Sequence, residues 1–112
     1  MAIWENKFTT NIKLDPVFTA LKSLFSDGSI TTMKSLPEYS PTKIMAVLKM
    51  NHQTFIDKCK EPWKFSTEHI LLLSYIIDID PAILFEIIQK ESLKHLKEQA
   101  DLYINKIKDK KQ

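Results

Sequence analysis

One glycine in 112 residues is too few for a turn-rich all-β fold, and it leaves no room for a glycine-rich phosphate loop. One cysteine, Cys59, cannot form an internal disulfide, which fits a reducing cytoplasm. No apolar run is long enough to span a bilayer. The longest, Ile70 to Ile79, is interrupted by Ser74, Tyr75 and Asp78. The first residues, Met-Ala-Ile-Trp-Glu-Asn, lack the apolar centre of a secretion signal. The expectation is therefore a cytoplasmic protein without a membrane partner. At 44% apolar residues the chain can bury a core of its own, as one domain or one domain with an appendage.

What the chain does have is helical punctuation. Asp15-Pro16, Ser40-Pro41 and Asp80-Pro81 each place a small polar cap before a proline at the first helical position. Val17, Phe18, Leu21, Leu24 and Phe25 then recur at helical spacing, predicting a helix from Pro16 to Phe25 that ends at Asp27-Gly28-Ser29. A short helix is expected over Thr31 to Leu36, closed by Pro37. Ser66 caps a strongly apolar helix over Thr67 to Ile77. Another runs from Pro81 to about Lys90 on Ile83, Leu84, Ile87 and Ile88. From Glu91 to about Lys108, Leu93, Leu96, Ala100, Tyr103 and Ile107 step by three, four, three and four, a heptad-like seam. The last residues from Lys108 are expected to fray.

Ser40 to Lys60 carries the functional signal. Ile44, Met45, Val47 and Leu48 form an inward stripe, and Lys49-Met50-Asn51 breaks it. Asn51 is a good cap for a second short helix, His52 to Lys60. There Phe55, Ile56 and Cys59 face inward, while Gln53, Thr54, Asp57, Lys58 and Lys60 face out. Two short helices at this spacing form a helix-turn-helix, which lays its second helix in the DNA major groove.

Charge gives this reading modest support. Net charge is only +2, but residues 41–65 sum to +3 and residues 66–89 to −4. All sixteen basic residues are lysine. The commonest specific base contact, a two-pronged arginine on guanine, is therefore excluded.

The run Ile44 to Phe55 resembles the helix-turn-helix of the lambda-repressor/Cro-like (XRE) family. Lys64-Phe65-Ser66 with its following helix, and Ile79-Asp80-Pro81, look like that family's fourth and fifth helices, and Ile30 to Ser40 like its first helix and entry. The resemblance spans Ile30 to Ile88 and rests on helix order and apolar spacing. It departs at Met45, where the family favours alanine, and at Lys49, where it favours glycine. Lys49 must then sit in a left-handed conformation at some cost.

The resemblance implies an all-α protein: a lambda-repressor-like five-helix DNA-binding core over residues 30–90, an N-terminal helical extension over 1–29, and an amphipathic C-terminal helix over 91–112. It further implies a homodimeric transcriptional regulator of double-stranded DNA. His52, Gln53, Thr54 and Asp57 would contact bases, and Ser40, Thr42, Lys43, Lys49, Lys58 and Lys60 would contact phosphates. Leu93, Leu96, Ala100, Tyr103 and Ile107 would mediate dimerisation, against a competing docking of that helix on Val17, Leu21 and Leu24 of its own chain. The alternative function is a protein-interaction module that keeps the fold and has lost DNA binding. Lysines 43, 49, 58 and 60 standing clear of Glu61, Glu68 and Asp78 would favour DNA.

No enzymatic chemistry is expected. Cys59 and His52 are seven residues apart on one helix, roughly 10 Å along its axis, too far for a nucleophile and its base. Cys59 reads as a buried thiol. Asp78, Asp80 and Glu86 do not make a metal site, because Asp80 is explained as a cap. His69 and His95 are isolated, so no zinc is expected, nor any cofactor. Met33, Met45 and Met50 read as core filler. Trp4 and Trp63 read as packing at loop edges or as interface anchors.

Overall fold

The computed structural model describes residues 15–110, and its regular elements are all helical. They are α1 (Pro16–Ser26), α2 (Pro41–Leu48), α3 (His52–Lys60), α4 (Thr67–Ile77) and α5 (Pro81–Lys110). Single 3₁₀ turns, Leu36–Glu38 and Pro62–Lys64, precede α2 and α4. Trp4 and residues 111–112 lie outside the described residues, as does the start of the expected N-terminal extension.

The caps explain most helix starts. Asp15 accepts from the Val17 amide at 2.9 Å, Asn51 from Thr54 at 2.8 Å, Ser66 from His69 at 3.1 Å, and Asp80 from Ala82 at 2.9 Å. Ser40 is a correction. Its backbone is left-handed (φ 48°, ψ 56°) and its hydroxyl caps nothing. Proline at position 41 disfavours a helical residue before it, and here the chain turns through the left-handed basin.

Two further expectations differ from what is observed. Residues 31–36 do not form a helix, so Ile30 to Ser40 does not supply a first helix. The Thr32 and Ser35 hydroxyls bond to each other at 3.0 Å, and Ser35 Oγ donates to the Thr32 carbonyl at 2.9 Å. The Met33 and Lys34 amides donate to the Glu91 carboxylate on α5. Side chains thus take the backbone groups that a helix would use, and only the 3₁₀ turn at Leu36–Glu38 remains. The second difference is at Glu91. No helix begins there, because α5 is continuous for 30 residues, about 45 Å.

One buried cluster unites all five helices. Phe18, Leu21 and Phe25 of α1 join Ile44 and Leu48 of α2, Phe55 and Cys59 of α3, Ile70, Leu73 and Ile77 of α4, and Leu84 and Ile88 of α5. Ile30, Met33 and Leu36 seal it from the loop. Helix α4 is the hub, packing on α1, α2 and α5. The α1 helix is therefore built into the same core as α2 and α3.

The turn from α2 into α3 carries the backbone strain expected from its sequence. Lys49 is left-handed (φ 55°, ψ 45°), and the following Met50 amide donates to the Met45 carbonyl at 3.1 Å. This is a helix C-terminal turn of the kind that glycine fits without strain. Lys49→Gly is expected to stabilise the protein by about 1 kcal/mol, read from the urea midpoint. A lower midpoint would show that the Lys49 side chain contributes more than its backbone costs.

Candidate nucleic-acid interface

Helix α3 is short, and two side chains anchor it. Phe55 and Cys59, one turn apart, are 0% and 1% exposed. That fixes the rotation of the helix and turns His52, Gln53, Asp57 and Lys60 to solvent. Thr54 and Lys58 flank this face and are half-buried. Of the four base-contact candidates, Thr54 is the least accessible.

Gln53 and Asp57 are coupled on the exposed face. The Gln53 amide nitrogen donates to Asp57 Oδ1 at 2.8 Å. The pair lies one turn apart along α3, as helical spacing requires. Its carboxylate is the acidic group on that face.

The phosphate candidates divide into engaged and unengaged groups. Lys43 pairs with Asp15 at the start of α1, and that contact with the Lys43 ammonium, followed by the bond from the Val17 amide, holds the Asp15 carboxyl below its ordinary value. Lys58 donates to the Lys64 carbonyl at 2.8 Å, tying α3 to the following 3₁₀ turn. Lys49 and Lys60 are exposed and hold no ion pair among the described residues. Ser40 and Thr42 are exposed at the start of α2, where no side chain caps the helix. Of the three acidic residues that could spoil this surface, Glu61 is matched by Lys64 at 2.9 Å and Asp78 by Lys22 at 2.7 Å, while Glu68 is exposed and holds no ion pair among the described residues.

Cys59 is a structural thiol. Burial, and then the nearby Glu91 charge, push it up to about 12. A thiol raised in the fold favours the folded state less once pH exceeds the unfolded thiol's value of about 8.5, since only the unfolded chain then ionises. The expected outcome is that a disulfide reagent leaves Cys59 unmodified in native protein at pH 8 and modifies it at once in denaturant. Rapid native reaction would mean that α3 opens readily.

Several contacts were not legible in the residue pattern. Trp63 and His95 stack with ring centroids 4.0 Å apart and planes within 4° of parallel, clamping the 3₁₀ turn after α3 onto α5. Both residues stand out in the sequence, but thirty-two positions separate them and no spacing rule joins them. The Glu91 carboxylate that holds the Met33 and Lys34 amides is likewise a distant match.

The expected dimerisation residues are all exposed: Leu93, Leu96, Ala100, Tyr103 and Ile107. Docking against Val17, Leu21 and Leu24 is not observed. From Leu96 to Lys108 every residue is exposed, and Leu21 instead belongs to the common core. Leu102 and Ile104 add to this uncovered stretch.

Among the described residues no group of three or more metal-ligating side chains converges, and no helix is long and apolar enough to cross a membrane. Comparison of the chain with protein-family models, curated proteins and solved structures finds no match.

Proposed function

We propose that α2 and α3 form a helix-turn-helix that reads double-stranded DNA, in a core arranged like that of the lambda-repressor family. In this reading α1, not the loop over 30–40, takes the place of the first helix. The observation that carries it is the division of α3. Phe55 and Cys59 lock one side into the core, while His52, Gln53, Asp57 and Lys60 stand exposed on the other. A helix with such a face, entered through a tight left-handed turn, is suited to the major groove. The uncapped start of α2 supports phosphate binding beside it, with Ser40, Thr42 and Lys43 at hand. Lys49 and Lys60 supply unpaired charge, and Lys58 stands at the edge.

A second reading, a protein-interaction module without DNA binding, is favoured by two observations. Lys43 and Lys58 are engaged within the protein, and Asp57 sits on the reading face. The experiment that separates the readings is a gel-shift titration against random duplex DNA at two salt concentrations. Under the DNA reading, affinity falls steeply with salt, and Lys60→Ala weakens binding to all sequences and flattens the salt dependence by about one unit of slope. Absence of salt-sensitive binding at micromolar protein overturns the DNA reading in favour of the interaction module.

A further inference from the structure

Helix α5 carries two apolar faces, and the fold covers one. Leu84 and Ile88 enter the core, and burial ends at Ser92. Roughly a third of a turn around the helix runs a second stripe. It comprises Leu93 (64% exposed), Leu96 (50%), Tyr103 (66%), Ile104 (47%) and Ile107 (37%), with Ala100 between them. A free helical segment of this length is marginal in water. Apolar side chains this exposed, contiguous along one line, mark a contact surface.

We propose that the stripe is covered by the same stripe of a second copy of this chain, running antiparallel. The inference deepens the DNA reading above and rests on it only for its consequence at two half-sites.

Three features point to a second copy in that orientation. First, the spacing of three, four, three and four is that of a self-complementary helical seam, with Leu93, Ala100 and Ile107 alternating with Leu96 and Tyr103. Second, the sizes match head to tail at the centre of the seam, with Leu93 at its end, opposite residue 110 of the partner. Centred between residues 101 and 102, an antiparallel pair sets Ala100 against the partner's Tyr103, and Leu96 against the partner's Ile107. Small thus meets large, as close packing requires. A parallel pair stacks alanine on alanine, leaving a void, and tyrosine on tyrosine. Third, charge permits the pairing. The residues bordering the seam are Lys97 and Ile104 on one side, and Gln99 and Lys106 on the other. Antiparallel packing sets Lys97 beside the partner's Ile104 and Gln99 beside the partner's Lys106, with no like charges opposed. The lysine stems lie along apolar surface with their heads in water.

A seam of about two heptads is short for a coiled coil, which gives a reversible dimer rather than an obligate one. The geometry has a functional consequence. Antiparallel tails place the two folded cores at opposite ends of the pair. The points where α5 leaves each core are then roughly 30 Å apart, close to the ~34 Å of one DNA turn that separates two half-sites.

Sedimentation equilibrium of the full chain without DNA tests the pairing. Wild-type protein is expected to dimerise at tens of micromolar. Leu96→Glu with Tyr103→Glu is expected to weaken dimerisation at least about 100-fold while keeping a cooperative unfolding transition, since both residues lie outside the core. Ile107→Asp, farther still from the core, serves if the double variant does not fold. Orientation is read by mixing Leu96→Cys protein with Ile107→Cys protein under mild oxidation. Antiparallel pairing gives the mixed disulfide in preference to either self-disulfide, with wild-type Cys59, buried, as the unreactive control. Wild-type protein that stays monomeric overturns the proposal and assigns the stripe to a different protein. Self-disulfides in preference to the mixed one overturn the antiparallel arrangement. A dimer that shifts no DNA sinks the DNA reading and leaves this inference standing, and a monomer that shifts DNA does the reverse.

Discussion

Phe55→Ala is expected to cost about 3–5 kcal/mol of folding stability. Phe55 is fully buried at the middle of α3 and sits in the cluster that joins all five helices. Helix α3 has nine residues, too few to persist in water without tertiary support. Its other fully buried side chain is Cys59, which is smaller. Removing the ring therefore leaves a cavity that the short helix cannot collapse to fill, against a total stability of about 5–15 kcal/mol for a typical domain. The loss is read from the urea midpoint at unchanged slope. Lys60→Ala, on the exposed side of the same helix, should move that midpoint by less than about 0.5 kcal/mol. A loss below about 1 kcal/mol for Phe55→Ala would show that α3 is not held by its apolar side, and its exposed face would lose its fixed orientation.

The contrast between α3 and the loop before α2 shows what the sequence could and could not reveal. The bounds of α3 and α4 follow from local chemistry: Asn51 and Ser66 cap, and the apolar residues repeat at helical spacing. The loop over 31–36 has the same spacing, yet its amides are claimed by the Thr32 hydroxyl and the remote Glu91. Helix propensity competes there with side-chain acceptors, one of which arrives from 58 residues away. Continuity of α5 was obscured for a different reason. The apolar stripe changes face near Glu91, because the helix leaves the core there, and a change of face reads as a new element.

The candidate interface divides in the same way. Periodicity made the outward direction of Gln53, Asp57 and Lys60 legible, whereas Thr54 and Lys58, expected to face out, are half-buried. Which of the lysines carry unpaired charge was not legible. Asp15 lies 28 residues before Lys43, and the acceptor for Lys58 is a backbone carbonyl. Composition counts these lysines as equivalent, but the fold makes Lys49 and Lys60 the available ones.

Gln53→Ala is expected to remove about 1–3 kcal/mol of discrimination at one base pair, roughly a 5- to 150-fold change in preference, with little effect on binding to random sequence. Pairing with adenine uses both ends of the glutamine amide, its oxygen accepting from the base amine and its nitrogen donating to the ring nitrogen. In the free protein the nitrogen is held by Asp57 at 2.8 Å. This orients the amide before DNA arrives and sets the oxygen free to accept. Binding then exchanges one hydrogen bond for two, and only the correct base completes the exchange. Asp57 is therefore coupled to the reading, and the effects of the two substitutions should not add. Asp57→Ala alone should loosen the preference at the same base pair, and in the Gln53→Ala background it should change that preference little further. Removing the carboxylate also lowers repulsion of phosphates, so Asp57→Ala should bind random duplex more tightly at low salt. The measurement is selection from a randomised duplex library for the wild type, the two single variants and the double variant. An unchanged base preference in Gln53→Ala would remove Gln53 as a reader, and additive losses would show that its contact with Asp57 in the free protein plays no part in recognition.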